Sequence, residues 1–419
     1  MMERLEVIAS FDWLVSEETV GYLGYDRLAG EDYYSFEYAK QWRQKHPDVL
    51  LGTDLLPVSG KQYAESGKGI FGCFADSLPD YWGRLLIELK IKQNLKTKGR
   101  PLFNLSDWDY LKGVEDALRV GGFRFKDMET GTFLNASEND QVPPMISLEK
   151  LYEASQEIEE KELAQEEPAR WIERLFKPGS SVGGARPKAC VSDGNDLYIA
   201  KFPSTIDAWN VGRWELFANK MAELCHISTA CTQLVSLNNG HDIFLSKRFD
   251  RTADGKRIHM ASALNLLGLS SETPYEKYHS YSEIADFIVA HGTDIEQSLQ
   301  ELYRRVALSI CIGNADDHLK NHSFLLTKKG WKLSPVYDIN PSPNHTHCLL
   351  IDGLSNESSL DSLFAAHDLY KIGEDTAYAI IMETVHNMKC WEALARDCGL
   401  SDKEMSLFSQ RFEEGCSFS

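Results

Sequence analysis

The stretch GNADDHLKNHSFLLTKKGWKLSPVYD, residues Gly313–Asp338, decides how the rest of this 419-residue sequence is interpreted. It contains three polar side chains at suggestive spacing: Asp316 precedes Asn321 by five positions, and Asp338 follows Asn321 by seventeen. The part SFLLTKKGWKLSPVYD is typical of a hairpin that turns at Lys329-Gly330. The pattern therefore predicts a polar loop, then a strand pair, then a second carboxylate.

This spacing is typical of protein-kinase-like active sites. In such sites one carboxylate orients or deprotonates a hydroxyl, while an amide and a second carboxylate hold Mg²⁺ against the phosphates of ATP. The five-residue spacing to Asn321 favours Asp316 over its neighbour Asp317 as the catalytic carboxylate. Asn321 and Asp338 then offer the hard oxygen ligands that magnesium prefers. Asp338 stands in the context VYDI rather than Asp-Phe-Gly, so no switch based on a flipping phenylalanine is expected.

Two further side chains of this loop are candidates for contact with the transferred phosphate. In protein kinases a lysine often lies two residues after the catalytic aspartate. Here His318 holds that place, and Lys320 follows it by two positions. Either residue could act there, and a purely structural role for His318 is an equal alternative.

A glycine-rich stretch earlier in the chain is a candidate phosphate cradle. It reads SSVGGARPK over Ser180–Lys188 and could bring backbone N–H groups and Lys188 to a phosphate. It is not a Walker A motif, because Ala189 stands where a serine or threonine should bind magnesium. It precedes two short predicted strands with a turn signal at Asp193-Gly194.

Lys201, at the end of the second of these strands, is the candidate contact for the α- and β-phosphates of ATP. Its alternative is the usual one for a strand-end lysine, with the stem on apolar surface and the ammonium in water. The helix predicted over Asn210–Cys225 contains Glu215, which could pair with Lys201.

Composition excludes several function classes. The net charge of −19 makes direct binding of nucleic acid unfavourable, because phosphate contacts need a Lys/Arg surface. No apolar run reaches the ~18 residues of a membrane span, and the N-terminus lacks the pattern of a signal peptide. Nine scattered cysteines without a CxxC motif predict free thiols in a reducing cytoplasm.

The order of predicted elements suggests a small kinase N-lobe followed by helices. Strand, strand, helix, strand, strand is expected between Lys188 and Arg251, and mostly helices are expected after Thr252. Aromatic residues around Gly30 predict a strand-turn-strand unit near the N-terminus. The stretch Phe71–Lys90 is typical of one helix capped by Asp76 or Ser77.

Taken together, several motifs resemble those of HipA-type serine/threonine kinases, the toxin half of bacterial toxin–antitoxin pairs, and the resemblance covers most of the chain. The motifs are FADSLPDYWG at Phe74–Gly83, SVGGARPK at Ser181–Lys188, IAKFP at Ile199–Pro203, RFDR at Arg248–Arg251, NADDHLKN at Asn314–Asn321 and PVYD at Pro335–Asp338.

The resemblance implies an α+β fold, protein-kinase-like and two-lobed, with an extra N-terminal subdomain and a mostly helical C-lobe. The expected segments are 1–120 for the subdomain, 121–252 for the N-lobe and 253–419 for the C-lobe. It implies Mg-ATP-dependent phosphorylation of protein serine. The nucleotide would be bound by residues of three segments: Ser181, Val182, Gly183, Gly184 and Lys188 of the loop, then Lys201, then Phe249.

The resemblance also implies regulation and partners. Ser181, with Ser180 as the alternative, would be autophosphorylated, which ejects the loop and inactivates the kinase. Family substrates include aminoacyl-tRNA synthetases, whose modification stalls translation and arrests growth. The usual partner is a helix-turn-helix antitoxin, HipB-like, that binds operator DNA, which agrees with an acidic chain that reaches DNA only indirectly.

Two other functions are compatible with the polar set. The D-x-H-x-x-N pattern at Asp316–Asn321 also resembles the catalytic loop of phosphatidylinositol kinases, so a lipid or small-molecule kinase is one alternative. A catalytically inactive, kinase-shaped co-repressor that binds an antitoxin is the other, although a degenerate site usually loses one member of the set.

Overall fold

The computed structural model describes residues 3–99, 103–136, 142–163, 175, 186–269 and 279–419. The chain divides into two units. Unit one comprises Met1–Ile206 and Leu245–Ala261, and unit two comprises Asp207–Phe244 and Ser262–Ser419. The three segments expected from the sequence, with boundaries at residues 120 and 252, stay a prediction.

Unit one contains an antiparallel five-stranded sheet with the order β4-β3-β2-β1-β5. Its strands are β1 (Glu3–Ala9), β2 (Glu18–Leu28), β3 (Glu31–Tyr38), β4 (Lys61–Tyr63) and β5 (Phe123–Asp127). Ala29 and Gly30 join β2 to β3 with positive φ angles of 53° and 91°, as a tight hairpin turn requires. The predicted strand-turn-strand unit is therefore confirmed.

The described residues of unit one also form five α-helices. They are α1 (Lys40–Lys45), α2 (Gly72–Ala75), α3 (Tyr81–Thr97), α4 (Asp107–Gly113) and α5 (Leu148–Leu163). The helix predicted within Phe71–Lys90 is present as α3, but its predicted cap is wrong, because Asp80 and not Asp76 or Ser77 precedes it, and the short helix α2 lies before it. Pro79 lies between them, and a proline cannot donate the backbone N–H that a continuous helix needs.

The candidate lysines lie on a hairpin of unit one. Strand β6 (Lys188–Asp193) pairs with β7 (Asp196–Lys201), and the register places Lys188 opposite Lys201. The turn uses Gly194, at φ 58°, and the residue after it. Strand β7 also lies beside the unit-one end of strand β9 (Asp242–Lys247) in the same sheet. Just after that end, Arg248 donates its N–H to the Leu197 carbonyl (2.8 Å).

Unit two holds the remaining described helices and most of the remaining strands. Its first helix is α6 (Val211–Leu224), followed by β8 (Thr232–Ser236) beside the start of β9. The predicted order of strand, strand, helix, strand, strand is thus confirmed along the chain. After β10 (Met260–Ser262) come the hairpin strands β11 (Ser323–Thr327) and β12 (Gly330–Leu333). The later helices are α7 (Ala263–Leu266), α8 (Tyr281–His291), α9 (Ile295–Ile312), α10 (Leu360–Ala365), α11 (Glu374–Met388), α12 (Trp391–Asp397), α13 (Asp402–Ser406) and α14 (Ser409–Gly415).

Helix α9 is the central element of unit two. It packs against α8, α11 and α14, and Leu302, Val306 and Ile310 are fully buried. Burial on several sides fixes the helix axis, since moving it would open cavities in the packed core. The C-terminal end of α9 is therefore a rigid point from which the polar stretch at Gly313 begins.

Antiparallel strand pairs occur together with many helices, which agrees with the predicted α+β class. Among the described residues, no helix combines the length and apolar character that crossing a membrane would require.

Candidate functional site

The polar stretch starts at the C-terminal cap of helix α9, where the backbone conformation requires glycine. Gly313 has φ 66° and ψ 37°, and the next N–H, of Asn314, donates to the Ser309 carbonyl (2.9 Å) in the manner of a Schellman motif. A Cβ on Gly313 would lie 2.4 Å from the Ser342 carbonyl oxygen. Both the backbone conformation and the close approach therefore require glycine, and the chain leaves α9 in one direction.

Asp316, the predicted catalytic carboxylate, is exposed, while the backbone around it is fixed. Its carbonyl accepts a hydrogen bond from Nδ2 of Asn321 (3.2 Å), and the carbonyl of Ala315 accepts one from the Cys348 N–H (3.0 Å). The Cys348 thiol also donates to Oδ1 of Asp316 (3.7 Å). A substrate hydroxyl can therefore reach a carboxylate whose position is set from two sides.

Asp317, the competing carboxylate, has a different environment. It is 3% exposed, accepts a hydrogen bond from the Tyr281 hydroxyl (2.9 Å), and lies 3.0 Å from Nε2 of His322. Burial raises the pKa of Asp317, but the proximity of His322 and the hydrogen bond from the Tyr281 hydroxyl outweigh burial and lower it. A buried, fully engaged carboxylate cannot meet a protein substrate, which supports Asp316 in that role.

The three other candidates of the loop lie in one turn next to Asp316. Leu319–Asn321 form a short 3₁₀ helix, and Asn321 donates its N–H to the His318 carbonyl (2.8 Å). Asn321 is 7% exposed, whereas His318 and Lys320 are half-buried. The structure thus brings these residues together, and the catalytic roles of His318 and Lys320 stay predictions.

Asp338 is held close to this loop from both sides along its own segment. Before it, the Tyr337 hydroxyl donates to the Lys320 carbonyl. After it, the Asn340 N–H donates to Oδ1 of Asn314 (3.0 Å), and its side chain donates to Oδ1 of Asp338 (3.2 Å). Asp338 itself has φ 58°, a conformation that non-glycine residues rarely adopt outside functional sites and turns. The hairpin β11–β12 therefore returns the second carboxylate to the loop.

The donor set of this segment fits magnesium. The amide of Asn321 uses its Nδ2 in the bond to Asp316, so its oxygen is the remaining ligand atom. Asp338 supplies a carboxylate, and one or two protein oxygens completed by phosphate oxygens and water are the usual magnesium environment. Asn321 and Asp338 are thus the residues that would hold the ion.

The lysines predicted to bind phosphate lie on adjacent strands of unit one. Lys188 and Lys201 are directly opposite across an antiparallel pair, so their side chains leave the same face of the hairpin. Lys188 is 5% exposed, and its carbonyl accepts the indole N–H of Trp82 (3.0 Å). An anionic ligand such as a phosphate would be attracted to both lysine ammonium groups on this face.

Phe249, the other predicted nucleotide contact of unit one, lies half-buried within a buried ion network. Arg248 contacts both carboxylate oxygens of Asp250 (2.8 and 2.7 Å), and Arg251 donates to the same carboxylate (2.8 Å). The residues on each side of Phe249 are therefore fixed, and its own side chain is the least buried of the three.

Several predictions lie beyond what the structure describes or tests. Ser180, Ser181, Val182, Gly183 and Gly184 fall outside the described residues. Glu215 is 2% exposed on α6 in unit two, and its pairing with Lys201 in unit one stays a prediction.

No cluster of metal-ligating side chains competes with this site among the described residues, and one small cavity lies beside it. The described residues contain no group of three or more His, Cys, Asp or Glu side chains placed to hold a metal ion. A cavity of ≈ 10 Å³ in unit two is lined by residues that include Arg305, Ser309, Asp317 and His322. That volume suits a single water molecule, so the cavity cannot hold a nucleotide.

Sequence reasoning missed the residues that hold the site together. Tyr281, His322 and Tyr337 contact the loop through side chains, and Cys348 contacts Asp316 from 32 residues away. No local pattern marks such long-range contacts. The one available signal was the pair of consecutive aspartates, Asp316 and Asp317. Because two adjacent side chains of a turn seldom share one environment, the pair could have indicated that one of them is buried and structural.

Comparison with known proteins identifies the family. The chain matches the family model of the HipA-like C-terminal domain over residues 180–392 and that of the HipA N-terminal domain over residues 12–105. A Haemophilus influenzae protein is 33% identical over 115 residues, which are 25% of this chain and 34% of that protein. The Shewanella oneidensis serine/threonine-protein kinase toxin HipA is 23% identical over 203 residues, which are 42% of this chain and 46% of that protein.

These matches span between about a third and about half of the length of each relative, whereas the structural match is nearly complete. A solved structure of the Shewanella oneidensis MR-1 toxin–antitoxin system, HipA with HipB and operator DNA, has a TM-score of 0.62 at 15% identity and covers 98% of this chain and 96% of that chain. At that identity the match shows the fold, and it confirms the predicted α+β kinase-like class. Since one family model covers residues 180–392, half of the sequence, the chain belongs to the HipA family.

Proposed function

We propose that this chain is a Mg-ATP-dependent serine/threonine protein kinase and the toxin of a toxin–antitoxin pair. One observation carries the proposal: the exposed Asp316, the buried Asn321 and the strained Asp338 are bonded into a single arrangement within unit two. The left-handed conformation of Asp338, at φ 58°, agrees with this proposal, since such conformations cluster at active sites as well as in turns.

In this mechanism Asp316 accepts the hydrogen bond of the attacking hydroxyl and aligns its oxygen with the γ-phosphorus of ATP. The new oxygen–phosphorus bond forms as the bond from the γ-phosphorus to the β,γ-bridging oxygen breaks. ADP leaves with that electron pair, and the hydroxyl proton passes to Asp316. Lys188 and Lys201 bind the phosphates, and Phe249 contacts the nucleotide.

Magnesium, held by Asn321 and Asp338, would neutralise charge on the phosphate oxygens. The chain's own contribution there is positional. The Asn321 amide is oriented by the Asp316 carbonyl, and the Asp338 segment is fixed by Tyr337 and Asn340.

The test is transfer of labelled phosphate from ATP to the protein itself and to added protein or lipid. Asp316→Asn and Asp338→Asn are each expected to lower the rate by about 100-fold or more, since each removes a group that acts in the transition state. Asp368→Asn, on a 93% exposed side chain of unit two, is the matched control and should transfer at the wild-type rate. Equal labelling by the wild type, Asp316→Asn and Asp338→Asn would refute the proposed protein-kinase activity. Labelling of lipid alone would favour the lipid-kinase alternative.

Autophosphorylation in the glycine-rich loop is the proposed means of inactivation. The support is the resemblance of SVGGARPK at Ser181–Lys188 to the family loop, with Ser180 as the alternative acceptor. Mass spectrometry after incubation with ATP should find one phosphate on Ser181 or Ser180 in the wild type and none in Asp316→Asn. Phosphate on neither serine would exclude this form of regulation.

The partner and the substrate follow from the family and from charge. The related Shewanella structure contains HipB and operator DNA. For the present chain we expect a helix-turn-helix antitoxin of the HipB type, with DNA contacted through that partner because the net charge is −19. The chain would act in the cytoplasm on a translation-related protein, for which an aminoacyl-tRNA synthetase is the candidate. Growth arrest on expression of wild type, but not of Asp316→Asn, would test the toxin role.

A further inference from the structure

The pair Asp317–His322 is a buried, titratable pair that the proposed mechanism leaves without a role. The two side chains are 3% and 1% exposed, and Oδ1 of Asp317 lies 3.0 Å from Nε2 of His322. Burying such a pair costs free energy unless its geometry and hydrogen bonds compensate. Its place in the chain therefore needs an explanation.

The other oxygen of Asp317 bonds to two helices. Oδ2 accepts the Tyr281 hydroxyl at the start of α8 (2.9 Å) and the Ser309 hydroxyl near the end of α9 (3.4 Å). One carboxylate thus joins three separate segments of unit two. Removing it would leave the Tyr281 and Ser309 hydroxyls buried without this acceptor and His322 without its neighbouring carboxylate, so all three segments would be affected.

The contact between Asp317 and His322 also closes a short stretch of chain. Residues 317 and 322 flank the four residues His318–Asn321, so their side chains join the two ends of the turn that carries Asn321. The Asn321 amide in turn bonds to the carbonyl of Asp316 (3.2 Å). Position within this turn decides whether the Asn321 oxygen can serve as a ligand.

We infer that Asp317 and His322 are positioning residues that hold the metal-binding Asn321 and the catalytic Asp316 at their working separation. The inference rests on the proposed function, and it assigns no contact with substrate to either residue. Loss of the pair should weaken cation binding at Asn321 and Asp338 and lower turnover, because misplacement by about 1 Å can cost on the order of 100-fold in rate.

The test measures binding of Mn²⁺, as the probe for Mg²⁺, by electron paramagnetic resonance in the presence of a non-hydrolysable ATP analogue. Asp317→Asn and His322→Gln keep the size of each side chain and are each expected to weaken Mn²⁺ binding by about tenfold, the range seen when groups that orient ligands are lost. The double variant should be little weaker than either single one, because both break the same contact. Tyr281→Phe removes one hydrogen bond and should give a smaller loss, which keeps a variant available if Asp317→Asn does not fold.

Asp242→Asn is the matched control for a purely structural effect. Asp242 is also a buried aspartate of unit two, 4% exposed, and it bonds to Asn210, Arg213 and Ser236 outside the polar loop. This variant should lose thermal stability yet bind Mn²⁺ within about twofold of wild type, as expected for a distant, independent site.

Wild-type Mn²⁺ affinity in both Asp317→Asn and His322→Gln, or an equal loss in Asp242→Asn, would overturn the inference. A wild-type protein that binds Mn²⁺ with nucleotide but transfers no phosphate would overturn the proposed kinase and leave the positioning role intact. Normal transfer by wild type together with normal Mn²⁺ binding by the variants would reject the positioning role alone.

Discussion

Two neighbouring aspartates illustrate how environment, rather than residue type, assigns a role. Asp316 is exposed and held by its backbone, whereas Asp317 is buried, accepts hydrogen bonds from Tyr281 and Ser309, and lies 3.0 Å from His322. The sequence favoured Asp316 only through its five-residue spacing to Asn321. Burial could not be foreseen, because Tyr281, Ser309 and His322 meet Asp317 only after the helices have packed.

Replacing Gly313 by alanine should destabilise the protein. The residue has φ 66°, and a Cβ there would lie 2.4 Å from the Ser342 carbonyl oxygen and 3.0 Å from Nε of Arg411. The backbone conformation alone should cost about 1–2 kcal/mol in the free energy of unfolding, and the clash adds to that. Chemical denaturation would measure the loss.

Gly212→Ala is the opposite case and serves as the control. Gly212 lies in the first turn of α6, where a Cβ would meet the Asp242 carbonyl oxygen and the Phe244 side chain at 3.5 Å, an ordinary contact distance. Alanine should raise the free energy of unfolding by about 0.5–1 kcal/mol, because it loses less conformational freedom on folding. If Gly313→Ala proved as stable as Gly212→Ala, the Gly313 backbone would not be under the constraint described here.

At the scale of elements, the sequence predicted those whose signals are local. The turn near Asp193-Gly194, the helix over Val211–Leu224 and the strands around them follow from turn residues and periodicity, and all are present. The helix expected within Phe71–Lys90 is also present, but its predicted cap, Asp76 or Ser77, was wrong, because the helix begins only after Pro79 and Asp80. The return of Asp338 to the loop required a tertiary contact, the Tyr337 hydroxyl, which no period encodes.

Tyr337→Phe should slow phosphate transfer more than it affects stability. The hydroxyl donates to the Lys320 carbonyl and contacts the Ser323 hydroxyl, so phenylalanine frees the Asp338 segment from the loop at one of its two attachments. We expect a loss of about 1 kcal/mol in the free energy of unfolding and a rate of autophosphorylation lowered by roughly tenfold. Initial rates at saturating ATP and a urea titration would measure the two effects.

Tyr303→Phe removes a comparable bond elsewhere in unit two, from the Tyr303 hydroxyl to the Leu363 carbonyl (3.1 Å). It should cost similar stability while leaving the rate at the wild-type level. Equal rates for Tyr337→Phe and wild type would mean that the attachment at Asn340 suffices to place Asp338.

At the scale of the whole molecule, buried charge explains why unit one is discontinuous in sequence. The Asp116 carboxylate accepts hydrogen bonds from the guanidinium groups of Arg124 (2.7 Å) and Arg257 (3.2 Å). The Asp250 carboxylate accepts hydrogen bonds from the Arg248 guanidinium and the Gly121 N–H. These bonds join the segment around residue 120 to Leu245–Ala261, more than a hundred residues later. Breaking one partner of such a pair leaves an uncompensated buried charge, which is strongly destabilising.

His259 belongs to the same returning segment and should make unit one sensitive to acid. Burial lowers its pKa to about 3 from the usual 6.5, in a site where its ring stacks on Phe11 and its Nδ1 accepts the Gly122 N–H (3.3 Å). Between these two pH values the unfolded chain binds a proton that the folded chain does not. The free energy of unfolding should therefore fall as the pH falls, by up to about 1.4 kcal/mol per pH unit from this residue.

His259→Asn can retain the acceptor for Gly122 but removes the titrating ring. Urea unfolding at pH 5.5 and 4.5 should show that the variant loses about 1.4 kcal/mol less than wild type across that unit, even if it is less stable at pH 7. A wild-type slope in His259→Asn would show that the ring is protonated in the folded protein.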